Sequence, residues 1–540
     1  MPGSDPVPTT FANVNPEPTL DHHRFICWLL IGLAAATMMG RLMTVRSSGG
    51  ATPMLSANDR SRWATIRALV DEGTYVLDRV IFSEDGQRDP AWYSIDLVQH
   101  RGLDGRQHFY SSKPTLLTTL LAAPYWVLHQ LGVSIHQKPY YVMRITLVVV
   151  QVIPTVMFLV LLLRFLARLT DNLWSREFVL ATACLATPLT TFSISLNNHT
   201  PAALWTLVCV WIVWEILHSP QLCIGRFLGA GLAAAMAVAC ELPALSLLVL
   251  VAAAMAWRSP WYTLAGFVPP VLIVVAGALG TNYLAHGTWS TPYAHRRDGA
   301  VILEIATSDL SLFRPGPIAE PLRQQLAAGG LQVSDASALK TRPLDRGYEL
   351  WDPQQEARYA VWLDSQGVTV REWDNWYEYE GSYWAGNTSG VDRGEPSRWV
   401  YAFHALAGHH GIFSLTPVWL LGVAGTLLGL RRTSRLRPLA AATALLTLVC
   451  LSFYILLRPL EDRNYGGVSC CFRWTIWLIP LWLPAMIPIL ERIAAHRTGR
   501  YVALGLLVLS IFSTTYNSRN PWSHPWLFDY WSHLGWIRYG

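Results

Sequence analysis

The sequence predicts an all-α polytopic membrane protein of about eleven transmembrane helices plus interfacial helices, with a smaller α+β domain on the outer, periplasmic side. Three observations lead there. Of 540 residues, 52% are hydrophobic and only 14% charged, against about 25% charged in soluble domains. Apolar runs recur along the chain at close to the length a bilayer requires. Basic residues gather in alternate connections between those runs. The net charge of +5 comes with no basic block interleaved with aromatics, so no nucleic-acid partner is indicated. Eight cysteines are scattered, with no C-x-x-C pair, which excludes a disulfide framework or a zinc site; the vicinal Cys470-Cys471 reads as structural.

The elements follow in order. Residues 1–24 are polar and Pro-rich and read as a disordered cytoplasmic tail. The run Phe25 to Met39 reads as a retained first membrane helix rather than a signal peptide, since no small-x-small cleavage site follows it. Apolar segments then fall at 141–163, 177–196, 201–217, 227–240, 243–257, 261–284, 411–430, 438–457, 472–490 and 501–516. The segment 114–131, PTLLTTLLAAPYWVLHQL, is assigned to the interface. If it does not span and the N-terminus is cytoplasmic, the basic connections 164–177, Arg226, Arg258, 431–437 and 491–500 all lie inside, as the positive-inside rule requires. If it spans, every later loop flips and the rule fails. The resulting order is a tail (1–24), a membrane module (25–285) with first outer loop 46–140, a large periplasmic loop or domain (286–410), further membrane helices (411–516) and an aromatic periplasmic tail (517–540).

This topology puts the polar stretches on one face: the first loop, NNHT (197–200), the Glu241 turn, HGTWSTPYAHRR (286–297), the 285–410 segment and EDRNYGGVSCCFRW (461–474). Ionisable groups at a membrane edge are functional candidates by default. Within the first loop, residues 56–78 form a short amphipathic helix, with Trp63, Ile66, Leu69 and Val70 on one face, Asn58 or Asp59 at the N-cap and Gly73 ending it. Downstream come Lys113-Pro114 at the head of the interfacial helix and Arg144 where the next span opens. Gly466-Gly467 permits close backbone approach. The segment 298–400, with Trp351, Trp362, Trp373, Trp376 and Trp384 among alternating charges, reads as a small, partly β outer domain whose indoles suit either a core or sugar stacking.

The ordered set of Asp59, Lys113-Pro114 and Arg144 resembles the GT-C superfamily of membrane glycosyltransferases, in particular its protein O-mannosyltransferase and aminoarabinose transferase branch. The resemblance covers roughly residues 25–285. That branch begins its first outer helix with an acidic residue and its second with a Lys-Pro-Pro-Leu-like motif. Here Asn58 and Arg60 flank the acid, Thr115 replaces the second proline, and Asn197-Asn198-His199 stands where the family often has an acidic residue.

The resemblance implies a GT-C-like fold and an inverting transfer of a sugar, hexosyl or pentosyl, from a polyprenyl-phosphate-linked donor. The acceptor would be a hydroxyl of a lipid, glycan or protein at the periplasmic face of a bacterial-type inner membrane. An attacking hydroxyl needs one general base; Asp59 is the candidate and Glu241 the second carboxylate. A phosphate leaving group needs positive charge rather than an acid, which points to Lys113, Arg296 and Arg473, then Arg62 and Arg144. Tyr110, Asn197, Asn198, His199, Tyr293 and His295 are candidates for sugar or acceptor contacts. The sequence indicates no cofactor, and a divalent metal stays open. Rival readings are an O-antigen ligase- or polymerase-like enzyme built on His295, Arg296, His409 and His410, a transporter or flippase of lipid-linked sugars, and a non-catalytic scaffold. A transporter favours polar groups at mid-membrane and internal repeats, and neither is seen.

Overall fold

The computed structural model describes residues 20–47, 50, 52–305, 310–364 and 367–539. Of the tail expected over 1–24, residues 1–19 lie outside the described residues, and residues 20–24 are already helical. Helices at Leu20–Thr44, Pro139–Leu169, His199–His218, Pro260–His286, Arg437–Leu457, Arg473–Ala494 and Arg497–Tyr516 are long and apolar enough to cross a membrane; Ile224–Cys240, Leu242–Arg258 and Trp419–Gly429 are shorter apolar helices. The remaining predicted run, 177–196, is broken into Leu173–Leu185 and Pro188–Phe192. Thr187 precedes Pro188 and is extended, as the proline ring requires of its neighbour. The segment 114–131 is a helix over Thr115–Gln130, shorter than a span.

The helices show why they pack as a bundle in lipid. In Leu20–Thr44, Cys27, Ile31, Ala34, Met38 and Leu42 are buried at three- and four-residue spacing, while Phe25, Trp28, Leu29 and Leu33 on the other side are exposed. Those outer side chains are lipid-facing surface, where no water is available to drive them inward. In Ile224–Cys240 the buried positions are small, including Ala230, Gly231, Ala233, Ala234 and Ala237. Small residues let backbones approach: a Cβ on Gly231 would lie 2.2 Å from the carbonyl oxygen of Phe267. Two π-helical turns, Val148–Val152 and Thr263–Phe267, run directly into Pro154 and into Pro269-Pro270. A proline lacks the N–H of the helical ladder and clashes with the preceding turn, and a widened turn absorbs both effects.

The first outer loop carries the helix Ala57–Arg67 and a hairpin of β1 (Leu97–Arg101) and β2 (Gln107–Ser111). The outer domain is an antiparallel sheet of β3 (Val301–Ile305), β4 (Gly316–Pro317), β5 (Ala338–Thr341), β6 (Tyr348–Asp352), β7 (Ala357–Asp364) and β8 (Gly367–Glu372). Its order is β3-β8-β7-β6-β5-β4, so β5 to β8 form a meander. The helix Glu320–Ala328 buries Leu322 and Leu326 with Leu339, Leu350, Val361 and Val370 of the sheet. A backbone hydrogen bond and an aromatic stack are among the contacts that seat this domain on the membrane module. Gln99 N–H donates to the carbonyl of Trp376 (2.8 Å). The rings of Tyr110, His100, Trp376 and His295 stack in sequence, with centroids 4.3, 3.9 and 3.7 Å apart.

Gly231→Val is expected to lower the thermal midpoint of the detergent-purified protein, because overpacking against the Phe267 carbonyl costs about 1–3 kcal/mol. An unchanged midpoint would mean that the two helices separate freely there.

Candidate active site

A continuous hydrogen-bonded chain of polar side chains crosses one end of the bundle. It begins on the helix Ala57–Arg67, where Arg62 donates through Nη1 to Asn58 Oδ1 and through Nη2 to Asn198 Oδ1 (2.7 Å). Asn198 donates through Nδ2 to Glu241 Oε1 (2.6 Å) and to the Cys240 carbonyl (2.9 Å). His199 Nδ1 bonds the same Glu241 oxygen, and Arg473 Nη1 donates to His199 Nε2 (2.8 Å). With Nε2 accepting from a guanidinium, Nδ1 carries the ring proton and donates to Glu241, so His199 is neutral. Arg473 Nε donates to the Gly466 carbonyl (2.7 Å), and its guanidinium lies over the Trp522 ring at 4.9 Å. The first loop, the 197–199 turn, the Glu241 turn, the 464–474 loop and the 517–540 tail therefore meet.

Beside this chain, Lys113 Nζ pairs with Asp96 Oδ2 (3.0 Å), both side chains largely buried. Asp96 acts electrostatically on Arg62 and Arg473. Asp392 completes the cluster and feels Asp96, Arg473 and Lys113. Its Oδ2 accepts from Tyr383 OH (3.0 Å), while its buried Oδ1 has no hydrogen-bond partner among the described residues. Burial pushes the Asp392 carboxyl up to about 6. Asp392 and Tyr293 also line a chamber of about 1130 Å³ between the sheet domain and the membrane edge.

Of the candidates named from sequence, Arg62, Lys113, Asn198, His199, Glu241, Tyr293 and Arg473 come together here. Asp59 lies on the same helix but serves that helix. The N-cap is Ser56, not Asn58 or Asp59. Asp59 is at N3 of a capping box, its Oδ2 accepting from Leu55 N–H (2.9 Å) and its Oδ1 from Ser56 N–H (3.0 Å). It is fully buried, and burial raises its carboxyl to about 7. Arg144 stacks on Tyr140 (3.8 Å) and donates to the carbonyls of Leu42 (2.9 Å), Val45 and Tyr140, closing the C-terminal end of the first membrane helix. Asn197 builds its own turn, donating to the carbonyls of Phe192 and Ser195 and accepting from Thr200 N–H.

Tyr110 and His295 belong to the aromatic stack that seats the sheet domain; His295 Nδ1 also bonds Asp374 (2.5 Å). Arg296 pairs with Asp462 (2.9 Å) on the chamber wall. His409 and His410 bury each other with His404 and His524 beneath the C-terminal tail, and His409 Nε2 bonds Tyr539 OH (2.7 Å). Sequence reasoning missed Asp96 and Asp392. The one local signal for Asp96 is a charge set between Ile95 and Leu97; Asp392, in GVDRGEP, has none. Among the described residues, no group of three or more His, Cys, Asp or Glu side chains is placed to hold a metal ion.

No family model matches the chain, and no curated protein matches it. Solved structures with a similar chain path include the S. cerevisiae protein O-mannosyltransferase Pmt1-Pmt2 complex bound to the sugar donor, at 11% identity and a TM-score of 0.43, covering 97% of this chain and 93% of that one. Another is the oligosaccharyltransferase AglB from Archaeoglobus fulgidus in complex with an inhibitory peptide and a dolichol-phosphate, at 12% identity and a TM-score of 0.41, covering 95% of this chain and 58% of that one. A further structure of the A. fulgidus oligosaccharyltransferase, with Zn and sulfate, gives 12% identity and a TM-score of 0.42 over 94% of this chain and 55% of that one. The first is of the branch that the sequence resembles. These likenesses concern chain path and say nothing of substrate or chemistry.

Lys113→Met is expected to destabilise the detergent-purified protein by about 3–5 kcal/mol, because it strands a buried Asp96 charge. Adding Asp96→Asn should restore much of the loss in a thermal or denaturant melt. Equal melting of the single variant and wild type would mean that water already solvates Asp96.

Proposed function

We propose that the chain is a membrane glycosyltransferase that moves a sugar from a polyprenyl-phosphate-linked donor to an acceptor hydroxyl at the outer membrane face, with inversion. The observation that carries this reading is the pairing of a cationic group with one free carboxylate oxygen. Arg62, Lys113 and Arg473 suit a departing phosphate, and Asp392 Oδ1, unpartnered beside them, suits an incoming hydroxyl. In this reaction the acceptor oxygen attacks the anomeric carbon from the face opposite the phosphate. Its proton passes to Asp392, the carbon–oxygen bond to phosphate breaks, and the bonding pair leaves on the phosphate. The arginines and Lys113 stabilise that charge, and no acid is required.

The other groups take supporting roles. Glu241 holds Asn198 and His199 in place and is a positioning residue. Asn198, His199 and Tyr293 are the nearest polar surfaces for the donor's sugar. Asp59 fixes the start of the helix that carries Arg62, so its effect on turnover is exerted through that helix. The charge asymmetry of the loops supports a cytoplasmic N-terminus and a periplasmic site in a bacterial-type inner membrane. The ligase-like alternative would rest on His409 and His410, but both rings are packed away beneath the C-terminal tail, with their Nδ1 atoms on one another and His409 Nε2 on Tyr539 OH.

Transfer from a panel of radiolabelled polyprenyl-phosphate sugars tests the reading. Asp392→Asn should cut transfer by about 10²–10⁴-fold with protein level and donor binding intact. Wild-type transfer by that variant would remove Asp392 as the base. Asp59→Asn should instead lower the melting temperature through loss of the cap, worth about 0.5–2 kcal/mol. Full stability with abolished transfer would return the base to Asp59.

The pH profile gives an independent check. A base must be ionised, so transfer should rise with pH up to about 6 and level off above it. The stability contribution of the same group has the opposite sign. Its folded value is raised above the unfolded 3.8, so the contribution is fully present below that pH and is lost as pH rises through about 6. A transfer profile flat across roughly pH 4 to 8, the range that brackets a carboxyl held at about 6, would exclude Asp392 as a titrating base.

A further inference from the structure

The chamber above the polar cluster has a wall whose charges are only partly matched. Six arginines and four carboxylates line it. Arg342 is held by Asp298 and Glu378 (2.8 and 2.7 Å), and Arg296 by Asp462 (2.9 Å); Arg346 lies 3.6 Å from Glu378. Arg297, Arg371 and Arg393 pair with no carboxylate among the described residues. Arg371 and Arg393 reach only backbone oxygens, Gly299 O at 3.5 Å and Thr388 O at 3.2 Å. Like charges gathered in a concave wall repel one another, and a concave cationic surface concentrates anions.

The same wall offers flat apolar surface. Trp362 and Trp384 line it, and their indole N–H groups are already satisfied by Asp298 Oδ2 (2.6 Å) and the Ile95 carbonyl (3.0 Å). What remains to a ligand is ring face, which suits the C–H face of a sugar ring. Leu344 stands on the rim, 63% exposed, with φ of 59°. A left-handed backbone at a non-glycine residue is uncommon and is retained where the surroundings enforce it. At about 1130 Å³ the chamber exceeds the common range of about 300–1,000 Å³ for small-molecule pockets, so a segment of several sugars fits.

We infer that this chamber binds an anionic glycan, its carboxylate or phosphate groups on Arg297, Arg371 and Arg393 and its sugar faces on Trp362 and Trp384. Asp392 lines the same chamber, so a bound glycan presents its hydroxyls to that carboxylate. As an acceptor site this rests on the proposed transfer; as a binding site it stands without it.

The test uses the full chain in detergent and reads binding by calorimetry. The probes are tetragalacturonic acid for carboxylates, a phosphorylated mannotetraose for phosphates, and maltotetraose as the neutral control. At least one acidic probe should bind tenfold or more tightly than maltotetraose and weaken as salt rises. The triple variant Arg297→Gln, Arg371→Gln, Arg393→Gln should lose tenfold or more for that probe. If it melts below wild type, Arg393→Gln alone, on an exposed side chain, should still lose severalfold. Which acidic probe wins identifies the anion. Equal binding of maltotetraose, or unchanged binding by the variants, would overturn the inference. Release of label from a polyprenyl-phosphate sugar is measured on the same sample. Turnover with no preference for acidic glycans removes the chamber inference alone. Acidic-glycan binding with no turnover of any donor keeps the site and removes its acceptor role with the transferase reading.

Discussion

The constraint on which the polar end of the bundle depends is the buried position of Glu241. It caps the helix Ile224–Cys240 within an otherwise apolar stretch, where an unpaired carboxylate is costly. Asn198 and His199 donate to it, and each is held in turn by an arginine, Arg62 and Arg473. One carboxylate thus organises two guanidiniums that share no direct contact with it and come from helices far apart in sequence. Removing it would leave two cations, an amide and an imidazole facing one another in a confined space.

That arrangement separates holding from reacting. Asp59 has both oxygens engaged by backbone N–H groups, Asp96 has one on the Lys113 ammonium, and Glu241 has one shared by an amide and an imidazole donor. Asp392 retains a buried oxygen without a partner among the described residues, at the boundary between the polar cluster and the chamber. A carboxylate already satisfied is a poor proton acceptor, whereas one left buried and unsatisfied binds a proton more readily. What sets Asp392 apart from the other three acids is that its unpartnered oxygen is buried.

Much of the fold was legible because membrane spans are written in the plainest pattern a chain has, long apolar runs interrupted by arginines. Most of those runs match helices to within a few residues, and two that broke, 177–196 and 411–430, contain Pro188 and Pro417. The sheet domain was legible as a composition change and aromatic alternation, but not as a six-stranded order, since strand pairing is non-local. The site was legible where polarity is anomalous, as at Glu241, Asn198 and Arg473. It was illegible where ordinary residues gain meaning only through distant partners. Asp392 is one acid among many in a polar segment until Tyr383, Gly467 and Arg473 close around it. Asp59 is ambiguous in the sequence for a different reason. An acid three residues after Ser56 carries the signature of a helix cap as clearly as that of a base.

Gly466 carries a consequence for how this region would look in a mutational scan. Its φ is +92°, and a Cβ there would lie 2.2 Å from Arg473 Nε. A methyl group at this position would push the guanidinium off His199 without altering any charge. Alanine at residue 466 would therefore mimic loss of the arginine seven residues later. In a survey that sorts positions by side-chain chemistry, a residue with no side chain would rank with the cations.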